Sequence, residues 1–143
     1  MHKEKLREVV RGYDQRDSRI LVASTKRQVA GLLRFIVIPI GPEDNLPAVS
    51  IDGEELLQAK VMNFFVSPDF RRRGVGRRLQ KEAIALAKSL SCYQLVSFSF
   101  DEYKANHKLK LSAGYAVQPQ FRRNGEAHGL YFVMPLQVAD GST

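Results

Sequence analysis

Arg71, Arg72, Arg73, Arg77 and Arg78 crowd around two glycines, Gly74 and Gly76. An apolar run ends just before them at Val66, and an amphipathic run begins among them at Val75. Residues of these types in this order can hold an anion. The first turn of a helix leaves backbone N–H groups without intrahelical partners and carries the positive end of the helix dipole. Glycine lets a ligand approach that backbone closely, and arginine adds charge. The chemistry suggested is the binding of a phosphate or pyrophosphate. Successive helical residues point in different directions, so only part of the arginine cluster can touch one ligand.

A strand must deliver such a loop and a helix must receive it. Leu56 to Val66 reads as the strand. Gly74 to Ser89 reads as the helix, with Val75, Leu79, Ala83, Leu86, Ala87 and Leu90 on one face. Upstream, Lys3 to Tyr13 places Leu6, Val9 and Val10 at helical spacing among charges, a short amphipathic helix. Ile20 to Ala23 and Val29 to Ile40 are β-rich runs separated by Ser24 to Gln28, which predicts a hairpin. Gly41 to Pro47 is a loop by composition, long enough to be either functional or merely permissive. Downstream, Gln94 to Phe100 reads as a strand. Tyr103 to Ala113 reads as a helix closed by Gly114 in a left-handed cap. Tyr115 to Phe121 and Leu130 to Leu136 read as strands joined by a loop that turns at Asn124-Gly125, and Val138 to Thr143 is a polar tail.

The expected fold class is α/β of the mixed α+β kind, one domain spanning residues 1–143. The strand–helix–strand succession in the middle implies a parallel pair with a right-handed crossover. The flanking hairpins are antiparallel. The result is a central mixed, mostly antiparallel sheet with a parallel βαβ core and flanking helices.

Composition narrows the function classes. Apolar residues make up 44% and charged residues 26% of the chain, ordinary for a soluble globular protein. No apolar run approaches the roughly 20 residues of a membrane span, and Met1 to Lys5 lead into no signal-peptide core. The expected location is cytoplasmic, with no membrane partner. The net charge of +7 favours anionic partners. Six of the 22 lysines and arginines lie between Arg71 and Lys81, so one polyanionic ligand accounts for much of the excess. A nucleic-acid partner is disfavoured, because Phe64, Phe65, Phe98 and Phe100 lie on strands and read as core rather than as exposed stacking platforms. The single cysteine, Cys92, reads as a packing residue, and no Cys/His cluster has metal spacing.

Two common phosphate motifs are excluded by absent residues. A dinucleotide fingerprint wants a third glycine where the chain has Leu79, and a nucleoside-triphosphate loop wants a Lys-Ser/Thr pair that is missing. The longer pattern Val66-x-Pro68-x-Phe70-Arg71-Arg72-Arg73-Gly74-Val75-Gly76-Arg77-x-Leu79 resembles the acetyl-CoA motif of the GNAT acetyltransferase superfamily, Arg/Gln-x-x-Gly-x-Gly/Ala. A second resemblance lies downstream, where Lys108 to Tyr115 looks like that family's helix end followed by Gly-Phe/Tyr and a strand. The resemblance implies acetyl-CoA as co-substrate. It implies that backbone at Phe64, Phe65 and Val66 holds the pantetheine arm. It also implies that the pyrophosphate lies on the N–H groups of Arg72, Arg73, Gly74, Val75, Gly76 and Arg77, with Arg71 at the motif's first position.

The chain departs from that family where the chemistry should be. Amine attack on a thioester needs a base or water relay, and the leaving thiolate needs an acid or polarising donor. Relatives often carry a Glu on the strand before the loop; here those positions hold Lys60, Met62 and Asn63. The strand Gln94 to Phe100 has no carboxylate either. The family's usual acid, a Tyr four residues before the helix-ending Gly, is replaced by Lys110. Tyr103, Asn106, His107 and Lys110 fall on neighbouring faces of one helix. Tyr103 is the expected catalytic residue and Asn106 an expected cofactor contact. His107 is expected in solvent, with Leu109 and Leu111 forming the buried face. Asp101 and Glu102 are candidate bases, Asp101 reading first as a helix cap. Relatives also carry a strand and helix ahead of the helix at Lys3. Their lack is expected to leave the sheet short at that edge, or completed by a partner chain in a homodimer.

Three functions compete. The first is an acyl-CoA-dependent N-acyltransferase, an acetyltransferase acting on an amine acceptor through proximity and backbone polarisation. The second is a catalytically weak CoA-binding sensor or partner module of the same fold. The third is a basic nucleic-acid-binding module.

Overall fold

The computed structural model describes residues 13–99, 104–121 and 127–136. The expected helix over Lys3 to Tyr13 lies outside these residues except for Tyr13. So do Phe100, Asp101, Glu102 and Tyr103, the turn at Asn124-Gly125 and the tail from Val138.

The chain runs β1 (Asp17–Ser24), β2 (Val29–Pro39), β3 (Ser50–Ile51), β4 (Glu54–Glu55), β5 (Leu57–Val66), α1 (Val75–Ser89), β6 (Gln94–Ser99), α2 (Lys104–Ser112), β7 (Ala116–Phe121) and β8 (Ala127–Pro135). Six of the strands form one sheet in the order β1-β2-β5-β6-β8-β7. The pair β5/β6 is parallel, and every other neighbouring pair is antiparallel. The expected mixed sheet with a parallel βαβ core is therefore present. The short hairpin β3–β4 is an addition to the expected order. Its turn residues Asp52 and Gly53 both have positive φ, as a two-residue hairpin turn requires.

Residue periodicity explains the layers. In β2, Leu33, Phe35 and Val37 point to one face and join a core with Leu79, Ala83 and Ala87 of α1 and Leu95 and Phe132 of the sheet. Burying each leucine contributes about 2 kcal/mol. Ile36 and Ile38, on alternate positions, point to the opposite face and pack with Tyr13 and Met62. Among the described residues both helices lie on the first face, here called the helix face. Gly31 seats α1 there: a Cβ on it would meet the Phe65 carbonyl oxygen at 2.7 Å and side-chain atoms of Leu79 and Val75 at 3.1 and 3.2 Å.

The decisive feature is where the two central strands part. The β5/β6 pairing runs only from Gln58 with Gln94 to Val61 with Ser97. Beyond that point β5 stays with β2 as far as Val66 opposite Gly31, while Phe98 and Ser99 stay with β8. At the same place the β2/β5 register skips Met62: Arg34 faces Asn63 and Phe35 faces Val61. This is a β-bulge, which leaves an extra residue outside the ladder and re-aims its strand. A wedge opens between β5 and β6, edged by β5 backbone that no neighbouring strand pairs on that side.

Candidate functional site

The strand β5 leaves the wedge through a single 3-10 turn, Pro68–Phe70, and enters α1 at Gly74. Gly74 takes a left-handed conformation, φ 78°, and no side chain caps the helix. The first intrahelical bond into this turn is from Arg78 N–H to the Gly74 carbonyl, so the preceding N–H groups point out of the helix mouth. Nothing lies within 4 Å of where a Gly74 Cβ would stand. An open, uncapped, positively charged mouth fits a pyrophosphate, and the expected cradle residues surround it. Arg71, Arg72, Arg73, Gly74 and Arg77 are exposed, and Val75 and Gly76 are half-buried. Arg73 also lies over the Phe70 ring, 5.4 Å from its centre. Phe64 and Val66 turn toward the helix, with ring and methyl atoms 3.2 and 3.4 Å from an added Gly76 Cβ. Phe65 corrects an expectation: it is 49% exposed rather than core, because it falls on the opposite face next to the end of the strand.

Across the wedge, α2 presents a polar face to the sheet. Lys110 is 1% exposed. Its Nζ donates to Ser99 Oγ at 2.8 Å and stands 4.7 Å from the centre of the Phe132 ring. Asn106 Nδ2 donates to the same Ser99 oxygen at 3.2 Å. A hydroxyl accepts through two lone pairs and donates one proton. With both lone pairs taken, the Ser99 proton is left to donate. No carboxylate forms a salt bridge with Lys110 among the described residues, and burial lowers its pKa from 10.5 to about 8.

His107 also departs from expectation. It is 8% exposed, not solvated, with its ring 5.4 Å from that of Phe132. Leu111, expected inside, is 49% exposed. The helix is thus rotated so that 107 and 110, one turn apart, face inward. The expected glycine cap holds: Gly114 has φ 104°. Tyr115 N–H reaches the Lys110 carbonyl and Gly114 N–H that of Leu111, both at 3.1 Å, the paired bonds of a Schellman ending. The next residue ties the two motifs together, since Tyr115 donates its hydroxyl proton to Gln80 of α1 at 2.8 Å. Cys92 is buried in the core, where burial pushes its thiol up to about 11, as a packing role requires.

The opposite face of the sheet holds a carboxylate that reading β5 and β6 alone misses. Glu43, on the 3-10 turn Pro42–Asp44, pairs with Lys60. It also accepts from Gln58 Nε2 at 3.1 Å and from the Tyr131 hydroxyl at 3.5 Å. The loop after β2 carries it back over the paired part of β5. No local signal marks this, because the partners lie 15 residues and more apart. Among the described residues no group of side chains could hold a metal ion, and no helix is long and apolar enough to cross a membrane.

Sequence comparison places the chain in a known family. Residues 2–115 match the profile of the acetyltransferase (GNAT) family, and the chain belongs to it. Solved structures agree on the fold. The ribosomal-protein-S18-alanine N-acetyltransferase of Escherichia coli superposes with a TM-score of 0.63 at 15% identity, over 99% of this chain and 81% of that one. NAA60 of Arabidopsis thaliana in complex with acetyl-CoA gives 0.67 at 10% identity, over 94% and 92%. The putative acetyltransferase yncA of Salmonella typhimurium, solved with acetyl-CoA, gives 0.64 at 19% identity, over 98% and 73%. No curated protein sequence matches the chain significantly.

Proposed function

We propose that this protein is an N-acetyltransferase that moves the acetyl group of acetyl-CoA to an amine. The observation that carries the reading is the alignment of an uncapped helix mouth, a strand wedge and a buried lysine–serine pair. Acetyl-CoA, when bound, supplies the thioester that the amine attacks. The N–H groups from Arg72 to Arg77 would hold its diphosphate, helped by Arg71 and neighbouring arginines. The unpaired edge of β5 at Phe64, Phe65 and Val66 would hold the pantetheine arm. The bulge at Met62 re-aims backbone at the mouth of the wedge, where a polarising N–H is needed.

Ser99 is the group we assign to the leaving sulfur. Its hydroxyl proton passes to sulfur as the C–S bond breaks, and Lys110 Nζ returns a proton to the serine oxygen. The match of acidities supports this role. A cysteine-type thiol titrates at roughly 8.5 and an ordinary lysine near 10.4, so an ordinary lysine is a weak acid for the task. At about 8, Lys110 is matched to the thiolate it serves. Asn106 then orients Ser99 instead of touching the cofactor directly. The amine's proton leaves by water, with Glu43 as the proposed end of that relay. Tyr103 lies outside the described residues and stays a candidate for the sulfur contact.

The test is release of free CoA thiol from acetyl-CoA with a panel of amines, alongside calorimetry with CoA. Amine-dependent thiol release supports acetyl transfer. Tight CoA binding with silence across the panel favours the sensor reading, and no binding at near-millimolar CoA contradicts both.

A further inference from the structure

Arg34 lies on the face of the sheet away from α1 and α2. It sits in β2 opposite Ile20 of β1 and Asn63 of β5, at the bulge and level with the opening of the wedge. It is 5% exposed. Its Nε and Nη2 are buried without a hydrogen-bond partner, and Nη1 makes only a long contact to Asn63 Oδ1 at 3.5 Å. Among the described residues no carboxylate forms a salt bridge with it. Burial lowers its pKa, yet a guanidinium does not lose its proton in a protein. A permanent charge with two idle donors on one edge is costly unless an anion meets it. That edge, Nε with Nη2, is a planar fork suited to two parallel hydrogen bonds.

The surroundings select the anion. The nearby cation on the same face, Lys60, is already paired with Glu43. Arg34 therefore offers a single positive charge, which one carboxylate balances and a doubly charged phosphate does not. Ile20, Val22 and Phe65 on the same face are exposed apolar side chains, and Asn63 is exposed too. They give a surface for a carbon skeleton beside the guanidinium. Facing residues in neighbouring strands lie roughly 5 Å apart. A carboxylate on Arg34, opposite Asn63, thus lies close to the free edge of β5 beyond Val61, where the thioester is proposed to lie.

We propose that Arg34 is the acceptor-recognition residue, and that the acceptor is a small amino acid whose carboxylate it binds beside the reacting amine. This rests on the acetyl-transfer reading, with acetyl-CoA entering from the helix face and the acceptor from the other. The amine nitrogen attacks the thioester carbon, forming the C–N bond as the C–S bond breaks. The sulfur keeps the electron pair and a proton, and the product is an N-acetylamino acid.

The test compares amino acids with their carboxamides as acceptors, using the full chain and acetyl-CoA. The proposal expects kcat/KM for the acids to exceed that for the amides by about a hundredfold or more. Arg34→Met should abolish that preference by lowering kcat/KM for the acids toward that for the amides, and Arg34→Lys should restore part of it. Equal use of acids and amides by the native protein overturns the proposal, as does an equal loss of both in Arg34→Met. A second readout needs no turnover: titration of the CoA-loaded protein with an N-acetylamino acid and with its amide. Binding of the acid alone, lost in Arg34→Met, supports the site even if no amine releases thiol, an outcome that would count against acetyl transfer only. No binding of the acid overturns the site. An internal partner would also overturn it: if Glu4→Gln or Glu8→Gln destabilises the protein only while Arg34 is present, the guanidinium serves the chain's own carboxylate.

Discussion

The arginines of the loop and the two buried cations carry the same sign of charge and do different work. Arg71, Arg72, Arg73, Arg77 and Arg78 are exposed, clustered and locally redundant. Lys110 and Arg34 are isolated, buried on opposite faces of the sheet, and without carboxylate partners among the described residues. Exposed clustered charge attracts a large polyanion in water, where each ion pair is worth little by itself. A buried lone charge is poised for one small group at one place. On the proposed reading the loop holds the donor, Lys110 serves the leaving sulfur, and Arg34 binds the acceptor.

The largest effect on donor binding should come from breaking the loop. Gly74→Asp places a Cβ at φ 78° and a carboxylate in the helix mouth. The expected result is at least a hundredfold loss of CoA affinity by calorimetry, on the order of 3 kcal/mol. Retained affinity would remove the helix mouth from the donor site. Single changes such as Arg72→Ala should cost far less, because neighbours supply the same charge.

Lys110→Met sharpens the other side of the comparison, since activity and stability should move in opposite directions. Turnover should fall roughly 10²–10⁴-fold, the usual contribution of a positioned acid. In the native protein kcat/KM should fall again as pH rises through about 8, and the variant should lack that limb. Stability follows from the sign of the shift. Folded Lys110 binds its proton less tightly than the unfolded chain does. The full cost is therefore present below pH 8, and stability rises with pH between about 8 and 10.5. Removing the charge should stabilise the protein at pH 7 by on the order of 1–3 kcal/mol, measured by urea unfolding, and should remove this residue's share of the alkaline rise.

The smallest effect lies away from both regions. Ser91 ends α1 with φ 62°; its N–H bonds the Lys88 carbonyl and that of Cys92 bonds Ala87. This is a Schellman ending with a strained non-glycine residue. Ser91→Gly should raise stability by about 0.5–1 kcal/mol with unchanged kcat, checked by thermal unfolding and thiol release.

The same contrast governs what the amino-acid order could reveal. The order of strands and the donor loop are local patterns: alternation in Val29 to Ile40, helical spacing from Val75 to Leu90, glycines among arginines. Arg34 is one charged residue inside an apolar run, and the run alone shows neither its burial nor its unpartnered nitrogens. Lys110 stands between Leu109, which packs against α1 at Gly76, and Leu111, which is exposed, so the apolar pair does not mark the inward face on which the lysine lies. The inward face of α2 is polar because it covers Ser99 at the edge of the wedge rather than the middle of the core. Glu43 reaches Lys60 only through the fold, by way of a loop that precedes its partners by 15 residues and more. The glycine at position 114 and the tyrosine after it were legible as a motif, whereas the bond from Tyr115 to Gln80 needed both helices in place.

The central claim is that the wedge brings the donor's sulfur to the buried lysine–serine pair. A crystal structure of the protein with CoA measures this directly. The account predicts the diphosphate on the N–H groups at the mouth of α1 and the sulfur within hydrogen-bond reach of Ser99 Oγ, with Lys110 still bonded to that serine. A sulfur lying elsewhere, with Ser99 and Lys110 sealed from it, would contradict the account.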